Sequence, residues 1–237
     1  MTKRNAESGE RPGAETLDSS LRDALDWLQD HASKSVLANM APRFGIHTDN
    51  AFGVPMAQMK VLAKRLGTNH ELAARLWDSG WYEARMVASM IDDPSAVTAT
   101  QMDRWCKDFD NWAICDTVCF NLFDRAPHAW RKVEQWARSN QEFVKRSAFA
   151  LLWSLALHDK DADDEHFIGG LALIEREADD ERNFVTKAIA MALRAIGQRN
   201  PMLATAAGET AERLAGSDDK VARSIGKRAV RELSRPR

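Results

Sequence analysis

The sequence predicts an all-α fold, an α-solenoid of stacked two-helix repeats of the HEAT or armadillo kind that forms a concave basic groove. Three observations lead to this prediction. Most of the chain is a succession of helical hydrophobic patterns separated by short polar breaks. No run of alternating β-branched residues indicates a strand. Similar segments recur from positions 82, 112, 143, 184 and 220, at the spacing of a two-helix repeat.

The elements before the first repeat follow from local patterns. Residues 1–16 are polar without a period and are predicted to be a disordered N-terminal tail, so residues 17–237 form a single helical domain. Leucines at helical spacing from Leu21 to Leu28 predict a first helix that is capped near Asp18. Pro55 suits the first turn of a helix and predicts the next one over 56–66.

The repeats share a register at the start of each inner helix. An aromatic residue is followed three positions later by a basic residue, as in Tyr82 and Arg85, and then by a small or apolar pair. The segment that starts at Trp112 has Cys115 at the basic position, and the last segment lacks the aromatic residue. Each inner helix follows an outer helix, predicted over 71–78, 102–107, 129–138, 167–177 and 203–214.

Equivalent positions on stacked inner helices lie in a row about 10 Å apart, the diameter of a helix. The basic residues of the register therefore predict a row that we call the basic stripe: Arg85, Arg146, Lys187 and Arg223. Such a stripe on a concave face suits a phosphate backbone better than a small metabolite. The alternative is that each of these basic side chains forms an ion pair with a carboxylate of a neighbouring repeat.

Trp112 and Asp116 are the residues that could carry chemistry. They lie one turn apart on the same helix face, and Asp116 falls amid the basic stripe. A carboxylate flanked by cations stays ionised at neutral pH, and a flat aromatic wall beside it suits a reaction that develops positive charge at a sugar carbon. The alternative is a salt-bridged aspartate that joins two repeats, with Trp112 in the core. The other tryptophans are predicted to be mainly inter-helix core, although Trp153 lies near Arg146.

Several short motifs occur in an order and at a spacing typical of one family. They are Gly53-Val-Pro-Met, Leu76-Trp, Glu83-Ala-Arg-Met-Val-Ala, Asn111-Trp-Ala-Ile-Cys-Asp-Thr-Val, Phe143-Val-Lys-Arg-Ser-Ala and Phe184-Val-Thr-Lys-Ala-Ile-Ala-Met-Ala-Leu-Arg. Through these motifs, residues 40–200 resemble the HEAT-like-repeat DNA alkylation repair family, the AlkD-type alkylpurine DNA glycosylases. The resemblance implies a concave, basic solenoid that cradles duplex DNA. It also implies release of N3- and N7-alkylated purines without base flipping.

The resemblance further implies roles for individual residues. Asp116 corresponds to the catalytic carboxylate, Trp112 to an aromatic contact with the deoxyribose of the lesion, and Arg146 to a contact with backbone phosphate. Met191 stands where active members carry a second tryptophan, and a methionine contacts a sugar more softly. No metal or organic cofactor is implied. The implied partner is double-stranded DNA that contains alkylated bases.

Two other functions stay open at this point. Because Met191 replaces the aromatic residue, the chain could be a non-catalytic binder of damaged, bent or branched DNA. Because helical repeats commonly bind proteins and the net charge is −2, it could also be a protein-interaction scaffold.

Composition and charge exclude other classes of protein. No apolar run approaches the length of a membrane span, and the polar start is not a secretory signal. The three cysteines lack the further ligands of a metal site and indicate a reducing compartment. We therefore expect a cytoplasmic monomer that associates with the nucleoid when bound to DNA. Residues 220–237 are strongly basic, so the near-neutral total allows a segregated surface.

Overall fold

A computed structural model describes residues 14–234, and within this range the chain is helical without a strand. The all-α prediction is therefore confirmed. In chain order the helices are α1 (Ala14–Asp30), α2 (Lys34–Phe44), α3 (Met56–Leu66), α4 (His70–Asp78), α5 (Tyr82–Ile91), α6 (Ala99–Lys107), α7 (Trp112–Asn121), α8 (Ala129–Ala137), α9 (Glu142–His158), α10 (Asp164–Arg176), α11 (Asn183–Gly197), α12 (Pro201–Ala215) and α13 (Lys220–Leu233). A short 3-10 turn, Phe123–Arg125, follows α7. None of the described helices combines the length and apolarity needed to cross a membrane.

The predicted repeat units correspond to successive helix pairs. The predicted outer helices are α4, α6, α8, α10 and α12, and the inner helices that follow them are α5, α7, α9, α11 and α13. Inner helices of adjacent units pack on one another, with α9 between α7 and α11, while α8 packs on α9 and α12 on α13. The helix predicted over 56–66 is α3. Most of the predicted tail, residues 1–16, lies outside the described residues. Helix α1 begins at Ala14 and therefore includes the last three residues of that predicted tail.

Helix α2 is an element that the sequence analysis did not predict. Its first turn is capped by the Ser33 side chain, which accepts a hydrogen bond from the Val36 N–H at 3.4 Å. Gly45 ends the helix in the left-handed conformation, at φ 63°. Pro42 lies inside the last turn, where a proline normally disfavours helix. This short helix places Phe44 and its carbonyl group beside α7.

The loop between α2 and α3 is held by the buried carboxylate of Glu83 on α5. Its two oxygens accept hydrogen bonds from the backbone N–H groups of residues 52, 53 and 54, at 2.9, 2.7 and 3.1 Å. Gly53 has φ 79°, and a Cβ atom there would lie 2.5 Å from the Ser33 carbonyl oxygen. The loop therefore requires glycine at this position, and Glu83 fixes the loop against the first repeat.

Hydrogen bonds from indole N–H groups to carboxylates tie the outer helices α4 and α8 to α6 and to the turns after α6 and α9. The indole N–H groups of Trp77, Trp136 and Trp130 donate to Asp108, Asp103 and Asp159 at 2.8, 2.9 and 3.2 Å. The rings of Trp77 and Trp105 also stack at 4.0 Å between centroids. These contacts satisfy polar atoms within an apolar interface, so the tryptophans fix the spacing of adjacent units.

A second buried polar group joins α9 to the turn between α10 and α11. Lys145 Nζ lies 2.6 Å from a Glu177 oxygen and 3.0 Å from an Asp180 oxygen. Arg182 also donates to Asp180, from its backbone N–H at 3.0 Å and from Nε at 2.9 Å. We call Lys145, Glu177, Asp180 and Arg182 the Asp180 cluster. Burial raises the pKa of Asp180, but the hydrogen bonds from Arg182 and Lys145 outweigh it and lower the pKa to about 2.

Candidate nucleic-acid interface

A cavity of about 410 Å³ lies on the side of the solenoid formed by the inner helices. We call it the Asp116 cavity. Side chains from α2, α7, α9, α11 and α13 line it: Phe44, Trp112, Asp116, Arg146, Trp153, Phe184, Lys187, Met191 and Arg228. Helix α2, which precedes the repeats, and the last unit of the chain therefore meet the central units at one site. Five of the seven residues that the sequence predicted for function lie here.

Asp116 and Arg146 form the charged centre of the cavity. Arg146 donates from Nε to one carboxylate oxygen at 2.9 Å and from a terminal nitrogen to the other at 2.6 Å. Its second terminal nitrogen donates to the Phe184 carbonyl oxygen at 2.6 Å. The Arg146 side chain is only 7% exposed, and that of Asp116 is 16% exposed. The pair thus joins three repeats and leaves one side of the carboxylate open to the cavity.

Two features of its surroundings act in opposite directions on the ionisation of Asp116. Burial raises the pKa of the Asp116 carboxyl, while the charge and hydrogen bonds of Arg146 lower it and offset part of the shift. Burial lowers and Asp116 raises the pKa of Arg146, with a net increase. An ionised carboxylate is the stronger acceptor at both oxygens, so the bidentate contact with Arg146 favours the carboxylate form. Asp116 is a carboxylate in an apolar setting with one cation as its partner.

Trp112 forms the wall next to this carboxylate. It begins α7, whose first turn is capped by the Asn111 side chain. Its indole N–H donates to the Phe44 carbonyl oxygen at 2.9 Å, so the end of α2 orients the ring. The ring is half-buried and packs against the core while it lines the cavity. The structure thus contains both sequence interpretations: Asp116 is salt-bridged between repeats, and it also faces a cavity beside Trp112.

Lys187, Met191 and Arg228 line the cavity from α11 and α13. Lys187 is exposed and has no ion pair among the residues described, and its Nζ lies 5.9 Å from the centre of the Phe184 ring. Met191 lies one turn further along α11 and is half-buried. Arg228 is about half exposed and donates to Glu232 at 2.8 Å. The cavity therefore has two cations that are accessible to an anion and a thioether where the resemblance implies an aromatic residue.

Arg85 and Arg223 do not line this cavity. Arg85 donates to the Asp108 carbonyl oxygen at 3.1 Å and lies over the Trp77 ring. Arg223 donates to the carbonyl oxygens of Ser217 and Asp218, at 2.7 and 3.0 Å, in the loop before its own helix. Loop carbonyls thus hold both guanidinium groups, although the register of the repeats is regular. Of the basic stripe, only Arg146 pairs with a carboxylate of a neighbouring repeat through an ion pair in the described structure.

Four lining residues had no functional role predicted from the sequence: Phe44, Trp153, Phe184 and Arg228. Two signals were available. Arg228 lies within the basic C-terminal segment, and Trp153 follows Arg146 by two helical turns on α9, which places both on one face. Phe44 gave no signal, because the helix that carries it was not predicted.

Basic charge is concentrated on helices near the cavity. Helices α2 and α3 together carry Lys34, Arg43, Lys60, Lys64 and Arg65 without an acidic residue. Helix α11 also lacks Asp and Glu, and α13 has Glu232 as its single acid. A second, apolar cavity of about 390 Å³ between α2, α3, α5 and α7 shares Phe44, Trp112 and Asp116 with the first. The near-neutral total therefore conceals a basic surface around the site.

Within the described range, no group of three or more His, Cys, Asp and Glu side chains is placed to hold a metal ion. Cys106, Cys115 and Cys119 are buried free thiols. Cys115 and Cys119 contact Ser147 on α9. The cysteines are therefore part of the helix packing.

A family model and one solved structure agree with this architecture. The model of a family described as DNA alkylation repair enzyme matches residues 24–233. No curated protein matches the sequence. A solved structure from a new family related to the HEAT-like repeat DNA glycosylases, with affinity for branched DNA structures, has a TM-score of 0.72 and 21% identity, and covers 89% of this chain and 94% of that one. A designed armadillo repeat protein aligns over 95% of this chain and 96% of its own at 15% identity, but its TM-score is 0.34.

Proposed function

Because the chain belongs to the DNA alkylation repair enzyme family, we propose that it binds duplex DNA at the Asp116 cavity and hydrolyses the N-glycosidic bond of N3- or N7-alkylated purines there. One observation carries the proposal. An accessible carboxylate, an oriented aromatic ring and two accessible cations line the same cavity. A damaged nucleotide presents matching chemistry, with a cationic sugar in the transition state and a phosphate on either side.

The reaction needs electrostatic help at the sugar. The bond between C1′ and N9 breaks with its electron pair going to the purine, which leaves as a neutral base because alkylation had made it cationic. The sugar becomes an oxocarbenium-like cation, which the negative charge of Asp116 stabilises in this proposal. Water then adds to C1′ and loses a proton to the carboxylate or to solvent. An alkylated purine is already a good leaving group, so no cofactor is required.

The other lining residues position the substrate. Trp112 offers a flat face to the deoxyribose, and its orientation is fixed by the Phe44 carbonyl group. Lys187 and Arg228 contact the flanking phosphates. Arg146 is committed to Asp116 and to the Phe184 carbonyl oxygen, so it acts chiefly by fixing the carboxylate and only secondarily on phosphate.

The acid-free helices extend the DNA contact beyond the cavity. Lys60 and Lys64 lie one turn apart on α3, both are exposed, and neither has an ion pair in the described structure. Unpaired cations release condensed counterions when they meet a phosphate backbone, which favours binding. These residues supply sequence-independent affinity, while the cavity acts on the lesion.

A second candidate function is binding of damaged, bent or branched DNA without excision. Met191 favours it, because a thioether lacks the rigid aromatic face that active relatives are implied to carry on this helix. The structurally similar protein with affinity for branched DNA is consistent with it. The two candidates share the DNA surface and differ only in the chemistry at Asp116.

The test is release of methylated base from methylated genomic DNA, measured beside a gel-shift assay on the same preparations. We expect base release by the wild type and retained binding without release by Asp116→Asn. Binding without release by the wild type would instead support the second candidate. Absence of both binding and release at physiological salt would contradict both and favour a protein-interaction scaffold.

A further inference from the structure

Trp153 is the second tryptophan of the Asp116 cavity, and nothing in the repeat register assigns it a role. It lies on α9 two turns beyond Arg146 and lines the same cavity as Trp112, Asp116 and Met191. Its side chain is half-buried, so part of the ring is available to a ligand. The cavity thus has two indole rings, although α11 provides methionine instead of tryptophan.

The Trp153 ring packs against one aromatic neighbour on α7. Phe120 packs against it edge to face, with 4.5 Å between ring centroids and an interplanar angle of 73°. Phe120 lies one turn after Asp116 on the same helix face. The ring that orients Trp153 therefore belongs to the helix that carries the carboxylate, so the two groups are positioned relative to each other.

The indole N–H of Trp153 is an unused donor. The indole N–H groups of Trp77, Trp112, Trp130 and Trp136 each donate to an oxygen of the protein. The Nε1 atom of Trp153 donates to no acceptor in the part of the chain that the structure describes. It is also not fully buried, so it can reach solvent. A solvent-accessible donor without a protein partner is available to an oxygen atom of a ligand.

We propose that Trp153 contacts the deoxyribose of the damaged nucleotide, and that it provides from α9 the aromatic face that Met191 does not provide from α11. The inference rests on the proposed function, because it concerns the same substrate at the same cavity. An indole ring attracts a cation over its face, so Trp153 acts with Asp116 on the oxocarbenium-like sugar. Its N–H is free to donate to a sugar or phosphate oxygen.

A purely structural tryptophan would behave differently from a contact residue. Removal of a packing residue weakens folding and every activity alike. Removal of a contact with the cationic sugar weakens recognition of that sugar and leaves affinity for undamaged duplex nearly unchanged. The discriminating quantity is therefore a ratio of affinities rather than one affinity.

The experiment compares two duplexes of the same sequence. One carries a pyrrolidine nucleotide at the central position, a protonated analogue of the sugar cation, and the other carries the natural nucleotide. The dissociation constants of both are measured for the wild type and four variants: Trp153→Ala, Trp153→Phe, Trp130→Phe and the double variant Trp153→Ala with Met191→Trp. Trp130 is the matched control, since it is half-buried, donates a hydrogen bond to Asp159 and lines a different cavity.

We expect the wild type to prefer the pyrrolidine duplex and Trp153→Ala to lose about tenfold of that preference. Its affinity for the natural duplex should change less than about threefold. Trp153→Phe keeps a ring and the contact with Phe120, so its loss should be smaller. Trp130→Phe should keep the full preference, and Met191→Trp should restore most of it in the double variant.

Two outcomes would overturn the proposal in distinguishable ways. If the wild type prefers the pyrrolidine duplex and Trp153→Ala keeps that preference, the assignment of Trp153 is wrong while the proposed function stands. If the wild type does not discriminate between the duplexes, the proposed function at this cavity fails and the role of Trp153 fails with it.

Discussion

Lys145 and Arg146 are adjacent residues on α9, and both are buried cations that reach carboxylates of other repeats. Their surroundings differ. Lys145 enters the Asp180 cluster, where Asp180 accepts hydrogen bonds from Lys145 and from three donors of Arg182. Arg146 enters the Asp116 cavity, where Asp116 has one cationic partner and one open side. The first carboxylate has a complete set of donors, and the second does not.

The difference appears in the pKa of each acid. In the Asp180 cluster burial raises the pKa of Asp180, but its hydrogen bonds outweigh burial and lower it to about 2. At Asp116 burial raises the pKa and Arg146 offsets only part of the change. A carboxylate that is fully compensated stabilises a fold. One that is incompletely compensated and faces a cavity is poised to interact with a further cation.

The largest expected effect concerns stability. Lys145→Met removes a buried cation and leaves Glu177 and Asp180 with less compensation, so the free energy of unfolding should fall by about 3 kcal/mol. Denaturant unfolding measures this change. DNA affinity and base release per folded molecule should stay within about twofold of the wild type. A comparable loss of DNA affinity would show that the two regions are not functionally separate.

The next effect concerns DNA affinity. Lys187→Gln removes an accessible cation from the cavity and should weaken duplex binding by about tenfold, with a salt dependence reduced by about one unit of slope. Arg182→Gln removes a cation from the Asp180 cluster and is the matched control. Its affinity and slope should equal those of the wild type when both are measured by fluorescence anisotropy between low and physiological salt. An equal loss in both variants would mean that overall charge, rather than this cavity, determines binding.

The smallest expected effect concerns pH: Asp116 and Asp180 should become protonated at different pH values. Because the pKa of Asp180 is lowered, its ionised form contributes stability above the usual aspartate range, and the contribution is lost as pH falls toward about 2. Because the pKa of Asp116 is raised, its protonation and the loss of base release should occur at a higher pH. Base release and circular dichroism are measured across pH 6 to pH 2, with enzyme-free DNA to subtract acid depurination. Loss of both signals at one pH would contradict the difference between the two acids.

The sequence predicted the repeats well because each helix carries an apolar period and a polar break of its own. The outer and inner helices lie where the register placed them, and Trp112 and Asp116 share a helix face as their spacing required. Helix α2 was missed because Pro42 interrupts its pattern, while its stability comes from the Ser33 cap and Gly45.

The composition of the cavity was only partly predictable. The register of the repeats predicts which residues are equivalent. It does not predict the curvature that brings Phe44 and Arg228 to the same site from opposite ends of the chain. It also does not describe loop carbonyls, which hold Arg85 and Arg223 away from the cavity. Those carbonyls depend on the turn after each outer helix, where the units differ in sequence.

The central claim is that Asp116, rather than a buried acid in general, performs the chemistry. It is tested most directly by the single-turnover rate of 7-methylguanine release from a defined duplex, at equal concentrations of folded wild type, Asp116→Asn and Asp180→Asn. We predict a rate at least about 100-fold lower for Asp116→Asn, the scale of a lost electrostatic group, and a rate near the wild type for Asp180→Asn. Equal rates for wild type and Asp116→Asn would contradict the account.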